Sequence, residues 1–392
     1  MFSSESFFMI AITDLDLLIV YSERIATSSN SLVKNITAPF SKESGRQNYN
    51  DVYGYFLEKC QKEGLRAAFT TSNDIIGPGK CRSYWLYLNK TWVKVQKNGY
   101  SVIIFDKISS TKIKLKASRA LLFSSNKIKP FNNPDLFDLC FDKQKTYDRL
   151  TKYSIPTITI ANNTRHDVNF ACKELNETKN NHLNKKDFAN QIVMKDRFGA
   201  GGLNVYKFRT DQIDKMASIA KKHKGVSFII QPFVKFDKGL ITQNYSFPTD
   251  IRLVYLRNKI VQAYLRIAKK GEFRCNEHRG GLLKYIPLNE VPLSVLTVSD
   301  KIINLLNTQN SLFALDFIIS NNGNVYLLEA NTGPGLDWNI ALKENEIEAK
   351  KLIDIIVKEI KKRISIKTTN YHSKTLINSI NIPIFTPLHQ SL

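Results

Sequence analysis

Two acidic residues that interrupt apolar segments constrain the fold of this chain more than any other feature. Asp316 lies inside the apolar run Phe313 to Ile319, and Glu329 ends a second apolar run, Val325 to Leu328. The segment Asn321 to Asn324 between the runs has the composition of a tight turn. The two runs are therefore predicted to form a β-hairpin.

The predicted hairpin brings Asp316 beside Glu329, and Asn331 projects from the same face as Glu329 because it is two residues further along. Two carboxylates and an amide oxygen form a hard, oxygen-only ligand set, which suits Mg²⁺ held together with substrate phosphates. The alternative is an ordinary hairpin with two solvated acids. Since an unpaired carboxylate is costly to bury, the apolar surroundings favour a metal site.

The length of 392 residues is enough for about two or three packed units. The sequence contains no run of about 18 apolar residues, so no transmembrane helix is expected. The apolar stretch Phe7 to Tyr21 contains two aspartates and follows no basic region, so it is predicted to be a strand rather than a signal peptide. The five cysteines are scattered without metal-type spacing, which predicts reduced thiols and a cytoplasmic protein.

The formal charge of +22 raises the question of a nucleic-acid partner. The lysines are spread along the whole chain instead of clustering between stacking aromatics, as a general coding bias would produce. Nucleic acid is therefore not the expected partner. An acidic partner stays open: ATP, an acidic peptide or an anionic surface.

The order of predicted elements indicates an α/β unit over residues 1–130, ended by the breaker cluster Lys129 to Pro134. A helix is predicted from Pro134 to about Tyr153, and residues 162–187 are polar and mixed. Further along, an amphipathic helix is predicted over Ala341 to Ile364. The remainder, 365–392, is predicted to be a loose tail or a docking extension.

A glycine-rich loop, Arg197 to Leu203, follows a predicted strand that ends near Lys195. It matches neither the P-loop nor the dinucleotide fingerprint. Its glycines would let backbone amides approach phosphate oxygens, although a plain hairpin loop is an equal alternative. Arg252 and Arg266 lie on adjacent predicted strands and alternate with apolar neighbours, so both side chains are expected on one face. Two arginines on one face suit the binding of a triphosphate. The alternative for them is a pair of surface salt bridges, for example with Asp250.

The order of these motifs resembles the ATP-grasp superfamily, and within it the RimK-like carboxylate–amine ligases. The resemblance covers about residues 130–364. The motifs that carry it are, in order, Lys143 before Ile155-Pro156-Thr157, Lys195 with its glycine loop, Gln231-Pro232-Phe233-Val234, Asp250-x-Arg252, Arg266, Asn276-x-His278-Arg279-Gly280-Gly281, Asp316, and Glu329-x-Asn331 with Pro334-Gly335.

The resemblance implies an α/β grasp fold. A pre-ATP-grasp α/β domain over 1–130 would precede an ATP-grasp domain over 131–364. The latter would consist of a lid-like subdomain at about 155–235 and a metal and substrate subdomain at about 236–364. ATP would lie in the cleft between these two subdomains.

The resemblance also implies roles for individual residues. Arg252 and Arg266 would be catalytic and hold the γ-phosphate and the acyl phosphate, and Asn276 and Arg279 would lie near the acceptor substrate. Asp316, Glu329 and Asn331 would be the metal ligands. The ATP-binding residues would be Lys143, Lys195, Gly199, Gly201, Gly202, the adenine hinge Gln231, Pro232, Phe233 and Val234, and Asp237 as the ribose carboxylate.

The implied reaction is an ATP-dependent ligation of a carboxylate, through an acyl phosphate, to an amine of an amino acid or peptide. The implied cofactors are ATP and Mg²⁺, with one or two ions and Mn²⁺ as a substitute. An amino acid or an acidic peptide is the expected partner, neither membrane nor nucleic acid is, and a homo-oligomer stays open. The alternatives are a non-catalytic ATP-binding protein, synapsin-like or spore-coat-associated of the YheC/YheD type, and a graspetide-type ligase that cyclises a precursor peptide.

Overall fold

The computed structural model describes residues 12–32, 36–108, 113–240, 247–334, 336 and 342–378. The chain divides into two compact units, Met1–Lys129 with Leu336–Leu392, and Pro130–Gly335. Among the helices of the described ranges, none combines the length and hydropathy that a membrane span needs. All five cysteines lie in these ranges and each is a free thiol, as predicted.

The elements up to residue 130 are, in order, β1 (Thr13–Leu15), β2 (Leu17–Tyr21), α1 (Tyr49–Lys62), β3 (Ala67–Thr71), β4 (Ile75–Gly77), β5 (Lys80–Cys81), β6 (Tyr84–Leu88), β7 (Thr91–Val95), β8 (Gly99–Ser101), β9 (Ile103–Lys107), α2 (Ile113–Leu122) and β10 (Lys129–Pro130). Those that follow are α3 (Pro134–Phe141), α4 (Lys143–Leu150), β11 (Ile158–Thr159), α5 (Arg165–Asn180), β12 (Phe188–Asp196), β13 (Val205–Arg209), α6 (Ile213–Lys222), β14 (Phe228–Val234), β15 (Thr249–Leu256), β16 (Lys259–Ile267), β17 (Leu282–Tyr285), α7 (Leu293–Ile303), β18 (Leu312–Ile319), β19 (Val325–Asn331) and α8 (Lys343–Asn378).

Two sheets form the first unit, with strand orders β1-β8-β5-β4 and β10-β9-β2-β3-β6-β7. The central strand β2 is buried throughout and pairs in parallel with β3 and β9. Asn89 and Lys90 form the turn that joins β6 and β7 in an antiparallel hairpin. Both turn residues have positive φ, which a tight two-residue hairpin turn requires.

The carboxyl-terminal segment differs from the prediction. The helix expected over 341–364 is α8, which continues to Asn378, so part of the expected tail is helical. The described residues of α8 group with the first unit rather than with the second, because α8 packs along α1. One contact of this packing is the hydrogen bond from Tyr55 to Asp354, at 2.9 Å. Residues 379–392 lie outside the described ranges.

The first sheet of the second unit has the order β11-β14-β12-β13, with α5 and α6 packed on it. The stretch 162–187, expected to be polar and mixed, contains the helix α5. Its start is fixed by a capping box between Thr164 and Asp167. The sequence hides this helix because only a narrow stripe of its residues is buried, namely Val168, Ala171 and Leu175.

The second sheet of this unit is antiparallel, with the order β17-β16-β15-β18-β19, and all eight residues of β18 are buried. The single helix expected from Pro134 to about Tyr153 is broken into α3 and α4. The break is at Asp142, whose backbone is extended, with φ −106° and ψ 107°. The Asp142 side chain accepts hydrogen bonds from the amides of Gln144 and Lys145 and so starts α4.

Candidate active site

A row of charged side chains crosses the second sheet of the Pro130–Gly335 unit. Strand register places Arg266 of β16 opposite Asp250 of β15. It also places Arg252 of β15 opposite Asp316 of β18, and Asp316 opposite Glu329 of β19. Alternate residues of a strand share a face, so these side chains meet on one side of the sheet. The predicted pairing of Asp316 with Glu329 in a hairpin is thereby confirmed.

Asp316 is the centre of this row and is fully buried. Arg252 donates to both of its carboxylate oxygens at 2.6 Å, and Arg266 donates to Oδ2 at 2.7 Å. The amide of Asn331 also donates to Oδ2, at 3.3 Å. Burial alone would raise the pKa of Asp316, but the two guanidinium groups outweigh it and hold the pKa below its usual value. The carboxylate therefore stays ionised.

Arg266 bridges two buried carboxylates. Besides Asp316 it holds Asp250, with distances of 2.6 Å from Nε to Oδ1 and 3.0 Å from Nη2 to Oδ2. Burial raises the pKa of Asp250, and Arg266 opposes that shift. These ion pairs are buried, so the alternative of surface salt bridges does not describe them. Together with Arg252, Arg266 balances the charge of the two aspartates on this face of the sheet.

Two lysines approach Glu329 from outside the sheet. Lys143, the first residue of α4, places its Nζ 3.1 Å from Glu329 Oε1 and also donates to the carbonyl oxygen of Gly199. Lys195, near the end of β12, is only 7% exposed. Burial lowers the pKa of Lys195 to about 8, a shift that Glu329 opposes and the charge of Lys143 reinforces. Anionic phosphate oxygens would satisfy both lysines.

The glycine loop (residues 197–202) follows β12. Gly201 and Gly202 have φ values of +66° and +70°, which side-chain-bearing residues rarely adopt. A Cβ on Gly202 would lie 2.7 Å from Asn276 Oδ1, and Arg279 donates to the Gly202 carbonyl at 3.1 Å. The loop thus rests on the segment expected to lie near the acceptor.

A cleft lies between the two sheets of this unit. One of its walls is the hinge segment Gln231 to Val234 of β14, where the buried Gln231 amide donates to the Thr157 hydroxyl at 2.7 Å. The apolar part of the lining is formed by Ile155, Val193, Phe233, Phe236, Ile318 and Leu328. An apolar slot beside polar backbone is the usual environment for a planar base.

The structure brings most of the predicted site residues to this cleft. Its lining includes Lys143, Lys195, Gly199, Gly202, Gln231, Pro232, Phe233, Val234, Arg266, Asn276 and Glu329. Other predicted residues adjoin that lining. Gly201 precedes Gly202, and Arg279 donates to the Gly202 carbonyl. Asp316 accepts from Arg266, and both Arg252 and Asn331 donate to Asp316. Asp237 is not brought to the cleft: its side chain is exposed and accepts a hydrogen bond from the Asn321 amide at 2.9 Å.

Sequence reasoning missed several residues around the cleft. Phe273, Arg274 and Cys275 line it, and their position directly before Asn276 was a signal that could have identified them. Lys207 places its Nζ 4.5 Å from the ring centroid of Phe233 and 4.9 Å from that of Phe273. Lys207 is distant from both in sequence, so only the folded structure reveals this contact.

The chemistry of the Asp316, Glu329 and Asn331 side chains fits a divalent metal ion. All three offer oxygen atoms. Asp316 Oδ2 already accepts from Arg252, Arg266 and Asn331, whereas Oδ1 accepts from Arg252 Nε and keeps a second lone pair. Within the described ranges, no group of three or more histidines, cysteines or acids is placed to hold a metal. An ion at this place would therefore depend on the Asn331 amide and on oxygens from a substrate.

Residues 142–356 match the model of the RimK-like ATP-grasp domain. The chain belongs to the RimK-like ATP-grasp family. Members of this family use ATP and a divalent metal ion, in agreement with the donor set and the two lysines described above. The fold class expected from the sequence, an α/β grasp, is confirmed.

Several curated relatives carry the name probable alpha-L-glutamate ligase, and two of them are compared with this chain. The one from Vibrio parahaemolyticus is 30% identical over 146 residues, which is 36% of this chain and 46% of the relative. The one from Legionella pneumophila strain Corby is 32% identical over 146 residues, with the same shares. The chain thus matches about half the length of these relatives.

Two solved structures share the fold. D-cycloserine synthetase DcsG has a TM-score of 0.53 and 13% identity, and the match covers 87% of this chain and 99% of that one. D-alanyl-alanine synthetase A from Vibrio cholerae has a TM-score of 0.53 and 14% identity, with coverage of 89% and 98%. At such identities the likeness concerns the fold alone.

Proposed function

We propose that this protein is an ATP-dependent ligase that joins a carboxylate to the amine of an amino acid or peptide. The observation that carries the proposal is the convergence of an acidic pair, two arginines, two lysines and a glycine loop on one cleft with an apolar end. Family membership and the names of the curated relatives support the same reaction class.

The parts of ATP would occupy different parts of the cleft. The adenine would occupy the apolar slot and meet the backbone of the hinge segment, where Pro232 keeps its carbonyl as an acceptor and Val234 keeps its amide as a donor. The phosphates would lie between Lys143, Lys195 and the glycine loop. Asp237 is exposed and already bonded to Asn321, so its assignment to the ribose has the weakest support.

Asp316, Glu329 and Asn331 would hold Mg²⁺ near the phosphates. When bound, the ion would neutralise phosphate charge and orient the terminal phosphate for transfer. The number of ions and the ability of Mn²⁺ to substitute are open to metal titration.

The arginines supply fixed positive charge where the reaction develops negative charge. A carboxylate oxygen attacks the γ-phosphorus, ADP leaves, and an acyl phosphate forms. The amine then attacks the acyl carbon, the carbon–oxygen bond to phosphate breaks, and an amide and inorganic phosphate result. Arg266 lines the cleft and would contact the transferred group, while Arg252 would keep Asp316 in place. Asn276 and Arg279 would meet the acceptor.

The substrate class follows from charge and from the relatives. The +22 formal charge favours anionic substrates, and the relatives' names make L-glutamate the first amino acid to test. An acidic peptide is the corresponding acceptor.

The test is Mg²⁺-dependent ADP release with L-glutamate, with other amino acids and with acidic peptides, with products identified by mass. A ligase releases ADP in proportion to a new amide, and Glu329→Gln abolishes both. Asp211→Asn, at an exposed acid outside the cleft, serves as a matched control that keeps full activity. ATP binding without ADP release in any pool would instead favour the non-catalytic alternative. Cyclisation of a single peptide would favour the graspetide alternative.

A further inference from the structure

The amino-terminal half of the glycine loop is fastened to the break between α3 and α4. Arg197, the first residue of the loop, donates from Nε to Asp142 Oδ1 and from Nη2 to Asp142 Oδ2, both at 2.6 Å. The same Asp142 accepts from the amides of Gln144 and Lys145, at 3.0 and 3.3 Å. One carboxylate thus starts a helix and anchors a loop.

The pair is largely shielded from water. The Asp142 side chain is 6% exposed and that of Arg197 is 24% exposed. Burial alone would raise the pKa of Asp142, but the Arg197 guanidinium and the helix amides outweigh it and lower the pKa. A two-pronged arginine–carboxylate contact is geometrically more restrictive than a single bond. The contact therefore fixes orientation as well as distance.

Two further contacts run beside the pair. The Lys143 amide donates to the Arg197 carbonyl at 3.2 Å. The rings of Phe141 and Phe198 stack, with their centroids 5.5 Å apart. The residues on either side of Asp142 thus hold the residues at the start of the loop.

Lys143 connects the Asp142–Arg197 pair with the cleft. Its Nζ contacts both the Gly199 carbonyl and Glu329, so its reach depends on where α4 begins and where the loop runs. Asp142 is hydrogen-bonded to both, through the first amides of α4 and through Arg197. Neither Asp142 nor Arg197 is among the residues that line the cleft.

We propose that Asp142 and Arg197 form a clamp that positions the glycine loop and Lys143 around the nucleotide phosphates without touching the nucleotide. They are positioning residues, and their role in phosphate binding rests on the proposed function. The clamp itself is visible in the contacts of the protein alone, which allows the two ideas to be tested separately.

Asp142→Asn is the informative change, because asparagine caps a helix as well as aspartate but replaces one of the two oxygens that accept from Arg197 with an NH2 group, which cannot accept. Arg197→Lys keeps the charge and loses the two-pronged geometry. The second variant leaves the helix cap untouched, so it carries the test if Asp142→Asn folds poorly. Asp214→Asn is the matched control, since it breaks an exposed arginine–aspartate pair with Arg165 on the same unit.

Three readouts are measured on the full-length protein: nucleotide affinity with a non-hydrolysable ATP analogue, trypsin cleavage after residue 197 without nucleotide, and the midpoint of thermal unfolding. Loss of one charge-assisted bond corresponds to about a tenfold change or more in an equilibrium constant. We expect both clamp variants to bind the analogue about tenfold more weakly and to be cleaved faster at residue 197. In turnover, KM for ATP should rise more than kcat falls. The control should match the wild type.

Unchanged affinity and unchanged cleavage in folded variants would overturn the clamp. A lower unfolding midpoint with normal affinity of the folded protein would also overturn it, since the pair would then be merely structural. Failure of the proposed function has a different signature: the wild type itself binds no ATP analogue, whereas cleavage at residue 197 still separates the variants from the control.

Discussion

The pKa of Lys195 makes nucleotide binding depend on pH in a direction that the structure dictates. Burial lowers the pKa of this lysine to about 8 in the protein alone. Phosphate oxygens beside the ammonium would favour its charged form and raise the pKa again. Binding would therefore take up a proton above about pH 8, so affinity is fully present below that pH and is lost as the pH rises.

The size of the effect follows from the two pKa values of Lys195. If phosphate restores the pKa from about 8 to its ordinary value of 10.5, affinity falls about twentyfold between about pH 7.5 and about pH 9.5. The nucleotide contributes little over this range, because phosphate groups titrate near about pH 6. The stability of the protein without nucleotide changes in the opposite direction. Folding releases a proton from Lys195 between the two pKa values, so its contribution to stability increases with pH there.

The assay is calorimetric titration with a non-hydrolysable ATP analogue without metal ion, repeated in buffers of different ionisation enthalpy. Proton uptake should appear above about pH 8 and approach one proton per site. Lys195→Arg should bind the analogue without this pH dependence, because an arginine stays charged throughout. A constant affinity from neutral to alkaline pH in the wild type would refute the assignment of Lys195 to the phosphates.

Substitutions at Asp316, Gly202 and Lys207 test other parts of the site. Asp316→Asn should lower the free energy of unfolding by about 3 kcal/mol, because two buried guanidinium groups lose the anion that they share. Urea unfolding measures this free energy, and an unchanged midpoint would contradict the prediction. Gly202→Ala should weaken nucleotide binding through the 2.7 Å contact with Asn276. Gly225 also has a positive φ but has open space around it, so Gly225→Ala should lower stability by only the backbone cost of about 1 kcal/mol. If both variants bind the nucleotide equally well, the geometry described for the glycine loop is contradicted. Lys207→Met should weaken binding of the ATP analogue about fivefold, because the rings of Phe233 and Phe273 lose their contact with the ammonium group. Lys207→Arg should restore the affinity. If a fluorescence titration gives the same affinity for Lys207→Met and the wild type, Lys207 does not belong to the site.

The two strands that carry Asp316 and Glu329 were predictable because each is a short, strongly apolar run. Asp316 and Glu329 flank a turn signal, and period-two alternation fixes which residues share a face. Their hairpin was therefore predicted from residues alone. Register across β15 and β18, which sets Arg252 on Asp316, depends on pairing between segments about sixty residues apart and could not be read locally.

The helices were less predictable where a capping hydrogen bond determines the residue at which the helix begins. The polar stretch before β12 becomes α5 through a capping box, and the region after Pro134 becomes two helices because Asp142 is extended. The tertiary bond from Arg197 holds Asp142 in place, and no sequence spacing reports such a bond. Asp237 was expected at the ribose, but its side chain is exposed. Its hydrogen bond with Asn321 joins two loops that are distant in sequence, and sequence spacing does not report such a bond either.

The reaction itself is tested most directly by following oxygen from the donor carboxylate. L-glutamate or an acidic peptide labelled with oxygen-18 in its carboxylates is incubated with ATP, Mg²⁺ and the amine acceptor that stimulates ADP release. The proposed acyl phosphate requires one labelled oxygen to appear in inorganic phosphate for each amide formed. ADP release with phosphate that carries no label would contradict carboxylate activation at this site, whatever else the protein binds.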